Sequence, residues 1–186
     1  MSNGPVRGGA WSGDGQILVA SDAGLSRVPA SGGPATSLIV TSPSVVNGVV
    51  WPQLLPGGRF LYRINSGKNT GTFAATVANP TEAVRLPVTT DTNVLYAPSG
   101  DGRGHLLWLD RGGALVAQEF DSATFRVVGE PHPLADPVAK LETIGRMNVA
   151  VSDSGVLLYN ASGNDSQFKW FDRAGRSLGV VTSPRC

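Results

Sequence analysis

Two histidines, His105 and His132, one cysteine, Cys186, and a scatter of acids are the residues on which chemistry could be built. A hydrolytic triad needs a nucleophile on a sharp turn within hydrogen-bond reach of a histidine, yet no Gly-x-Ser-x-Gly segment occurs. His105 falls in an apolar run expected to be a strand and His132 in a Pro-rich loop. Zinc needs a compact set of Cys and His ligands, and calcium loops place oxygen ligands at alternate positions. Neither pattern is present, so no metal and no cofactor is expected. Glu119 with Asp121, and Asp101 with Asp110, fall at strand ends and turns where solvated acids sit, which leaves no acid-base pair to name. Gly67-Lys68-Asn69-Thr70-Gly71 lacks the first glycine of a phosphate loop and a helix to follow it, so it reads as a hairpin tip. Ser12-Gly13-Asp14-Gly15 reads as a turn whose Asp14 carboxylate accepts backbone N–H groups. Asn160-Ala161-Ser162 and Asn164-Asp165-Ser166 match the glycosylation tripeptide, which is frequent by chance in loops rich in Gly, Asn and Ser. No catalytic, cofactor-binding or metal-binding residue is expected, and the chain is not expected to be an enzyme by itself.

What must position any binding group is a turn-rich chain of one domain. Of 186 residues, 41% are hydrophobic, enough for a core, while only 16% are charged and 24 Gly and 13 Pro punctuate the sequence. The net charge is +1, and Arg59 with Arg63, or Arg173 with Arg176, are pairs rather than patches, so nucleic acid is not expected as a partner. The N-terminal MSNGPVRGGA has no charged region leading into an apolar one, and no apolar run approaches the ~20 residues that span a bilayer. No membrane insertion by this segment is expected. A single cysteine allows no intrachain disulfide and gives no reading of compartment. A Gly-rich start and a stop just after the apolar run Leu178 to Val181 suggest a piece of a longer chain.

Internal repetition organises the rest. Gly15, Gly58, Gly104 and Gly155 each lead into a short apolar strand, QILVA, RFLYR, HLLWL and VLLYN, at intervals of 43, 46 and 51 residues. The long third interval calls for an insertion, placed in the Pro-rich stretch Gly129 to Val138. Each anchor strand follows a first strand (Ala10-Trp11, Val49 to Trp51, Val94 to Tyr96, Val149 to Val151). A third strand comes next (Leu25 to Val28, Phe73 to Val77, Leu115 to Phe120, Phe168 to Phe171), and then a fourth (Ser37 to Val40, Val84 to Leu86, Phe125 to Val128, Leu178 to Val181). No window sustains a 3.6-residue period, so helix content should be near zero. Leu18, Leu61, Leu107 and Leu158 should be equivalent, and Trp11, Trp51, Tyr62, Trp108, Tyr159 and Trp170 should fill the space between units.

The ordered series WSGDGQILVA, GLSRVPASGG, WPQLLPGGRFLY, LVAQEFDSATFRVVGEP, GVLLYN and KWFDRAGRSLG resembles the propeller region attached to many bacterial serine/threonine protein kinases. It is similar more broadly to TolB-type WD-like repeats, over Gly8 to Val181. The resemblance implies an all-β fold: a β-propeller of about four four-stranded antiparallel blades, as one segment over 1–186, with units near 8–42, 45–88, 92–130 and 146–182. Gly57-Gly58 departs from the more usual Asp-Gly turn, and unit three is stretched. No kinase motif is present, so kinase activity would belong to a parent protein.

The function this implies is a non-enzymatic binding or sensor module of a larger signalling protein, with a protein, peptide or polysaccharide ligand held by rim turns such as 65–71 and 160–166. The alternatives are the propeller of a dipeptidyl-peptidase-type hydrolase or a TolB-like periplasmic interaction propeller. An extracytoplasmic location follows only if the parent resembles the membrane-anchored propeller kinases. Four units with no strand to exchange between the ends should form an open arc that exposes Trp11 and Trp170 on its terminal faces, and the isolated segment should associate.

Overall fold

The computed structural model describes residues 5–41, 48–65, 67–99, 103–161, 169–171 and 176–180, and among these every regular element is a β-strand. Glycine turns and alternating apolar residues favour short antiparallel ladders over helices, and the first three units each close into one four-stranded sheet. Blade 1 holds β1 (Val6–Trp11), β2 (Gln16–Ser21), β3 (Gly24–Pro29) and β4 (Thr36–Val40). Blade 2 holds β5 (Val49–Leu55), β6 (Arg59–Ile64), β7 (Gly71–Thr76) and β8 (Val84–Arg85). Blade 3 holds β9 (Leu95–Pro98), β10 (Arg103–Leu109), β11 (Leu115–Asp121) and β12 (Arg126–Ala135). A small hairpin, β13 (Lys140–Leu141) and β14 (Arg146–Met147), precedes blade 4. The fourth unit, blade 4, differs from the expected four-stranded sheet: among the described residues it holds two separate pairs, β15 (Val149–Val151) with β16 (Leu157–Tyr159) and β17 (Lys169–Phe171) with β18 (Ser177–Val180).

The four anchor leucines occupy one register. Leu18, Leu61, Leu107 and Leu158 sit on the second strand of their blades, opposite Ala10, Gln53, Leu95 and Ala150 of the first. Because successive residues of a strand point to opposite faces, each blade presents one apolar face forward and one backward. Leu18 packs forward onto Val49, Phe60 and Tyr62 of blade 2; Leu61 packs forward onto Tyr96, Leu106 and Trp108 of blade 3; Leu107 packs forward with Met147 and Val149. Those three leucines are fully buried, whereas Leu158 is 70% exposed. The innermost strands touch in order, β1 on β5, β5 on β9 and β9 on β15, and among the described residues no comparable contact joins blade 1 to blade 4. The arrangement is a partial, open propeller.

Three expectations need correction. The Pro-rich stretch is no loop insertion: β12 runs through it as far as Ala135, pairing Ala117 with His132 and Val116 with Pro133 across two register shifts. Proline is tolerated because β12 is the outer edge of its sheet, where a missing N–H is not needed. The extra length of the third interval is taken up by the β13–β14 hairpin, and His132 is a strand residue. Secondly, Trp11 is 71% exposed and Tyr159 42% exposed, so neither fills a core. Trp11 lies opposite Ile17 on the backward face of blade 1, and Tyr159 borders an open groove beside Leu141 and Met147. Tyr62 and Trp108 are buried as expected, Trp51 is half-buried, and the Trp170 side chain and the Asn164 tripeptide lie outside the described residues. Thirdly, the first turn is built by Ser12 rather than by Asp14. Ser12 Oγ accepts the Gln16 N–H at 3.1 Å and itself hydrogen-bonds the Asp14 carboxylate. Ser152 Oγ accepts the Val156 N–H at 3.0 Å in the equivalent turn of blade 4, so the repeat extends to the turn chemistry.

Candidate functional site

The starts of the inner strands β1 and β5, the end of β6 and the β13–β14 hairpin border a cavity of about 590 Å³ whose walls include Val6, Arg7, Val50, Trp51, Arg63, Asn65, Asp91, Lys140 and Ile144. Three devices fix this wall. The first is a bulge in β5: Val50 pairs with Arg63 and Gln53 with Leu61, so Trp51 and Pro52 together span what one residue spans on β6. Bulges re-aim side chains, and this one holds Trp51 at a φ of 51°, a left-handed conformation that costs a bulky residue of order 1–3 kcal/mol. The Trp51 ring lies under the Arg146 guanidinium, whose Cζ is 5.7 Å from the ring centroid. Its Nε1 is buried without a hydrogen-bond partner among the described residues.

The second device seats the hairpin on the segment leading into β9. Asn93 N–H donates to the Gly145 carbonyl at 2.9 Å, and Met147 N–H donates to Asn93 Oδ1 at 2.8 Å. Gly145 has a φ of +62°, and a Cβ there would lie 2.6 Å from the Asp91 carbonyl oxygen, so the close seat requires glycine. The third device is charge. Lys140 Nζ lies 2.9 Å from Asp91 and 3.3 Å from Glu142. Its hydrogen bond to Asp91 holds that carboxyl below the ordinary carboxylate value and raises the Lys140 ammonium in return. Across the cavity Arg7 pairs with Asp22 through Nε at 3.0 Å.

Arg63 is different from these. It is 6% exposed, and burial lowers its pKa against the opposing pull of Asp91. Its Nε–H donates to Asn65 Oδ1 at 2.7 Å. The arrangement can hold a ligand by shape and charge: fixed polar groups, one half-buried aromatic and an apolar lining in a concave site formed before any ligand arrives.

Of the two turns expected at the rim, 65–71 is at the cavity, through Asn65 and Thr70. Of 160–166, Asn160 and Ala161 border the separate groove beside Tyr159, and the remainder lies outside the described residues. His105 is an exposed strand residue paired with Ala97 and Glu119. Among the described residues no three His, Cys, Asp or Glu side chains converge as metal ligands, and no helix is long and apolar enough to cross a membrane. Sequence reasoning missed Trp51, Arg63, Asp91, Lys140 and Glu142 as members of one site. The only local sign was an aromatic before proline, Trp51-Pro52, in an otherwise regular strand.

No protein-family model matches the sequence, and no curated protein matches it either. Solved structures do. TolB from Acinetobacter baumannii superposes with a TM-score of 0.60 at 18% identity, over 96% of this chain and 44% of that one. Regucalcin from Agrobacterium tumefaciens strain C58, described as a calcium-binding protein, superposes with a TM-score of 0.57 at 13% identity, over 96% of this chain and 60% of that one. The chain therefore spans about half the length of the structures it matches. At such low identity the likeness shows the fold alone, a β-propeller.

Proposed function

We propose that this chain is a non-enzymatic binding or sensor module, the propeller region of a larger signalling protein, and that it takes its ligand in the cavity between the inner strands and the β13–β14 hairpin. The observation that carries this reading is the cavity itself: about 590 Å³, with Trp51 held at a strained backbone and the charged side chains fixed by mutual contacts. Strain of this kind is retained where the surroundings over-determine it, and it gathers at ligand clamps. The placement in a signalling protein rests on the sequence resemblance to the propellers attached to bacterial serine/threonine kinases; the likeness to TolB supports the scaffold only.

Two measurements test it. An array of peptides and oligosaccharides is probed with the chain and with Trp51→Ala; ligands retained by the first and lost by the second support the reading. Binding indifferent to Trp51→Ala, or no binding, overturns the cavity as the site. The coding sequence flanking this segment tests the context: a kinase catalytic domain upstream supports it, and a hydrolase domain downstream overturns it.

A further inference from the structure

We propose that Arg63 anchors a single carboxylate of the ligand that enters this cavity; the inference rests on the binding-module reading and names the chemistry of what is bound. A guanidinium carries five N–H donors and no acceptor, and it is costly to bury unless those donors are met. Arg63, 6% exposed in the cavity wall, has its Nε–H on Asn65. Among the described residues no protein acceptor lies within hydrogen-bond distance of its two terminal nitrogens. Asp91 is near enough to act on it through space, but its carboxylate is taken by Lys140 at 2.9 Å.

The other cations on the cavity wall are committed. Arg7 is held by Asp22, and Lys140 is shared by Asp91 and Glu142. Arg63 is thus the one described cation on the wall without a contacting carboxylate, which suits a monoanion. Its terminal nitrogens form a planar fork that matches a carboxylate with two parallel hydrogen bonds. A phosphate dianion would bring a second charge that no uncommitted cation on the described wall could meet. Val6, Val50, Ile144 and the Trp51 ring line the same space, so the group next to the carboxylate is apolar. A free N-acyl amino acid and the C-terminal residue of a peptide both carry this chemistry.

The test is a titration of the full chain followed by NMR at the Arg63 side-chain Nε–H and the backbone amides of Asn65 and Gly145. The probes are N-acetyl-leucine, N-acetyl-leucine amide, an acetylated tripeptide ending in leucine, and inorganic phosphate. We expect saturable shifts with both acids and none with the amide; tighter binding of the tripeptide identifies a peptide end as the source, equal binding a free acid. Arg63→Gln should weaken the acid at least about tenfold, in the range of a charge-assisted hydrogen bond, with Arg63→Lys between the two. Arg63→Lys keeps the charge but not the planar fork, and its intermediate affinity decides the matter if Arg63→Gln does not fold. Equal shifts with acid and amide would overturn the carboxylate anchor while leaving a binding cavity in place. Phosphate binding more tightly than the acid, absence of any shift, or an affinity of Arg63→Lys equal to that of the parent chain would also overturn it.

Discussion

The side-chain amide of Gln53 on β5 pairs with both backbone groups of Tyr96 on β9: Gln53 Nε2 donates to the Tyr96 carbonyl at 3.1 Å, and the Tyr96 N–H donates to Gln53 Oε1 at 2.7 Å. One side chain thereby bridges the innermost strands of blades 2 and 3. Gln53→Leu would remove the partner of two backbone groups at a packed contact. We expect a loss of about 2–4 kcal/mol, from about 1–3 kcal/mol for each group left unsatisfied, with partial compensation by water. Urea unfolding measures it; a loss below about 0.5 kcal/mol would show that the bridge does not hold the blades.

The anchor leucines offer an internal comparison. Leu61 is 1% exposed and faces blade 3, whereas Leu158, in the same register, is 70% exposed. Leu61→Ala should cost about 2–5 kcal/mol and Leu158→Ala less than about 0.5 kcal/mol. Equal losses in thermal unfolding of the two variants would mean that the forward face of blade 4 is covered in solution.

Equivalence of this kind was legible in the sequence because it is local. A glycine turn followed by alternating apolar residues specifies a strand and its face without reference to anything distant, and all four anchors follow that rule. The cavity was not legible, because it is an inter-blade object. Lys140 and Asp91 are 49 residues apart, and Arg63 belongs to a different blade from either. The two-residue strands β13 and β14 are too short for any period to show. Pro131 and Pro133 misdirected the reading of the third interval, since proline in a run argues for a loop unless the strand is known to be an edge, which only the topology tells.

The hairpin seat should depend on pH at both ends of the range. Asp91 has its pKa lowered from 3.8, chiefly by the hydrogen bond from Lys140, so its stabilisation is complete above 3.8 and is lost as pH falls through the lowered value. Lys140 has its pKa raised from 10.5, chiefly by the same bond, so its stabilisation is complete below 10.5 and is lost as pH rises through the raised value. Both side chains are partly solvated and the effect should be modest and local. Chemical shifts of the Gly145 and Met147 amides followed against pH should be flat between these limits and move together outside them. A single transition near neutrality would contradict the assignment.

Gly145→Ala tests the same seat sterically. At a φ of +62° with the Asp91 carbonyl 2.6 Å from the new Cβ, the hairpin must lift or the segment leading into β9 must shift. We expect a loss of at least about 1 kcal/mol from the left-handed conformation alone, together with weakened packing of Met147, which is 1% exposed in the core that blade 3 shares with blade 4. Hydrogen exchange at the Met147 amide, protected by Asn93, should accelerate in the variant. Unchanged protection would show that the seat tolerates a methyl group.

The outer edge of blade 3 is the remaining place where the fold runs a risk. β12 is a ten-residue edge strand, mostly exposed, with Val128 at 44% and Leu134 at 49% exposure. A long exposed edge is a template for strand pairing with another molecule unless something interrupts its row of donors. Pro131 and Pro133 flank His132, which stays in register with Ala117. Neither proline has an N–H to offer, so two positions of this outer strand lack the donor that an incoming strand would pair with. Replacing both, as Pro131→Thr with Pro133→Val, restores the donors and adds a β-branched pair without touching the core. The double variant should keep the secondary structure of the parent chain by circular dichroism and show faster β-type assembly by thioflavin fluorescence and light scattering. Assembly no faster than that of the parent chain would show that the prolines do not guard this edge.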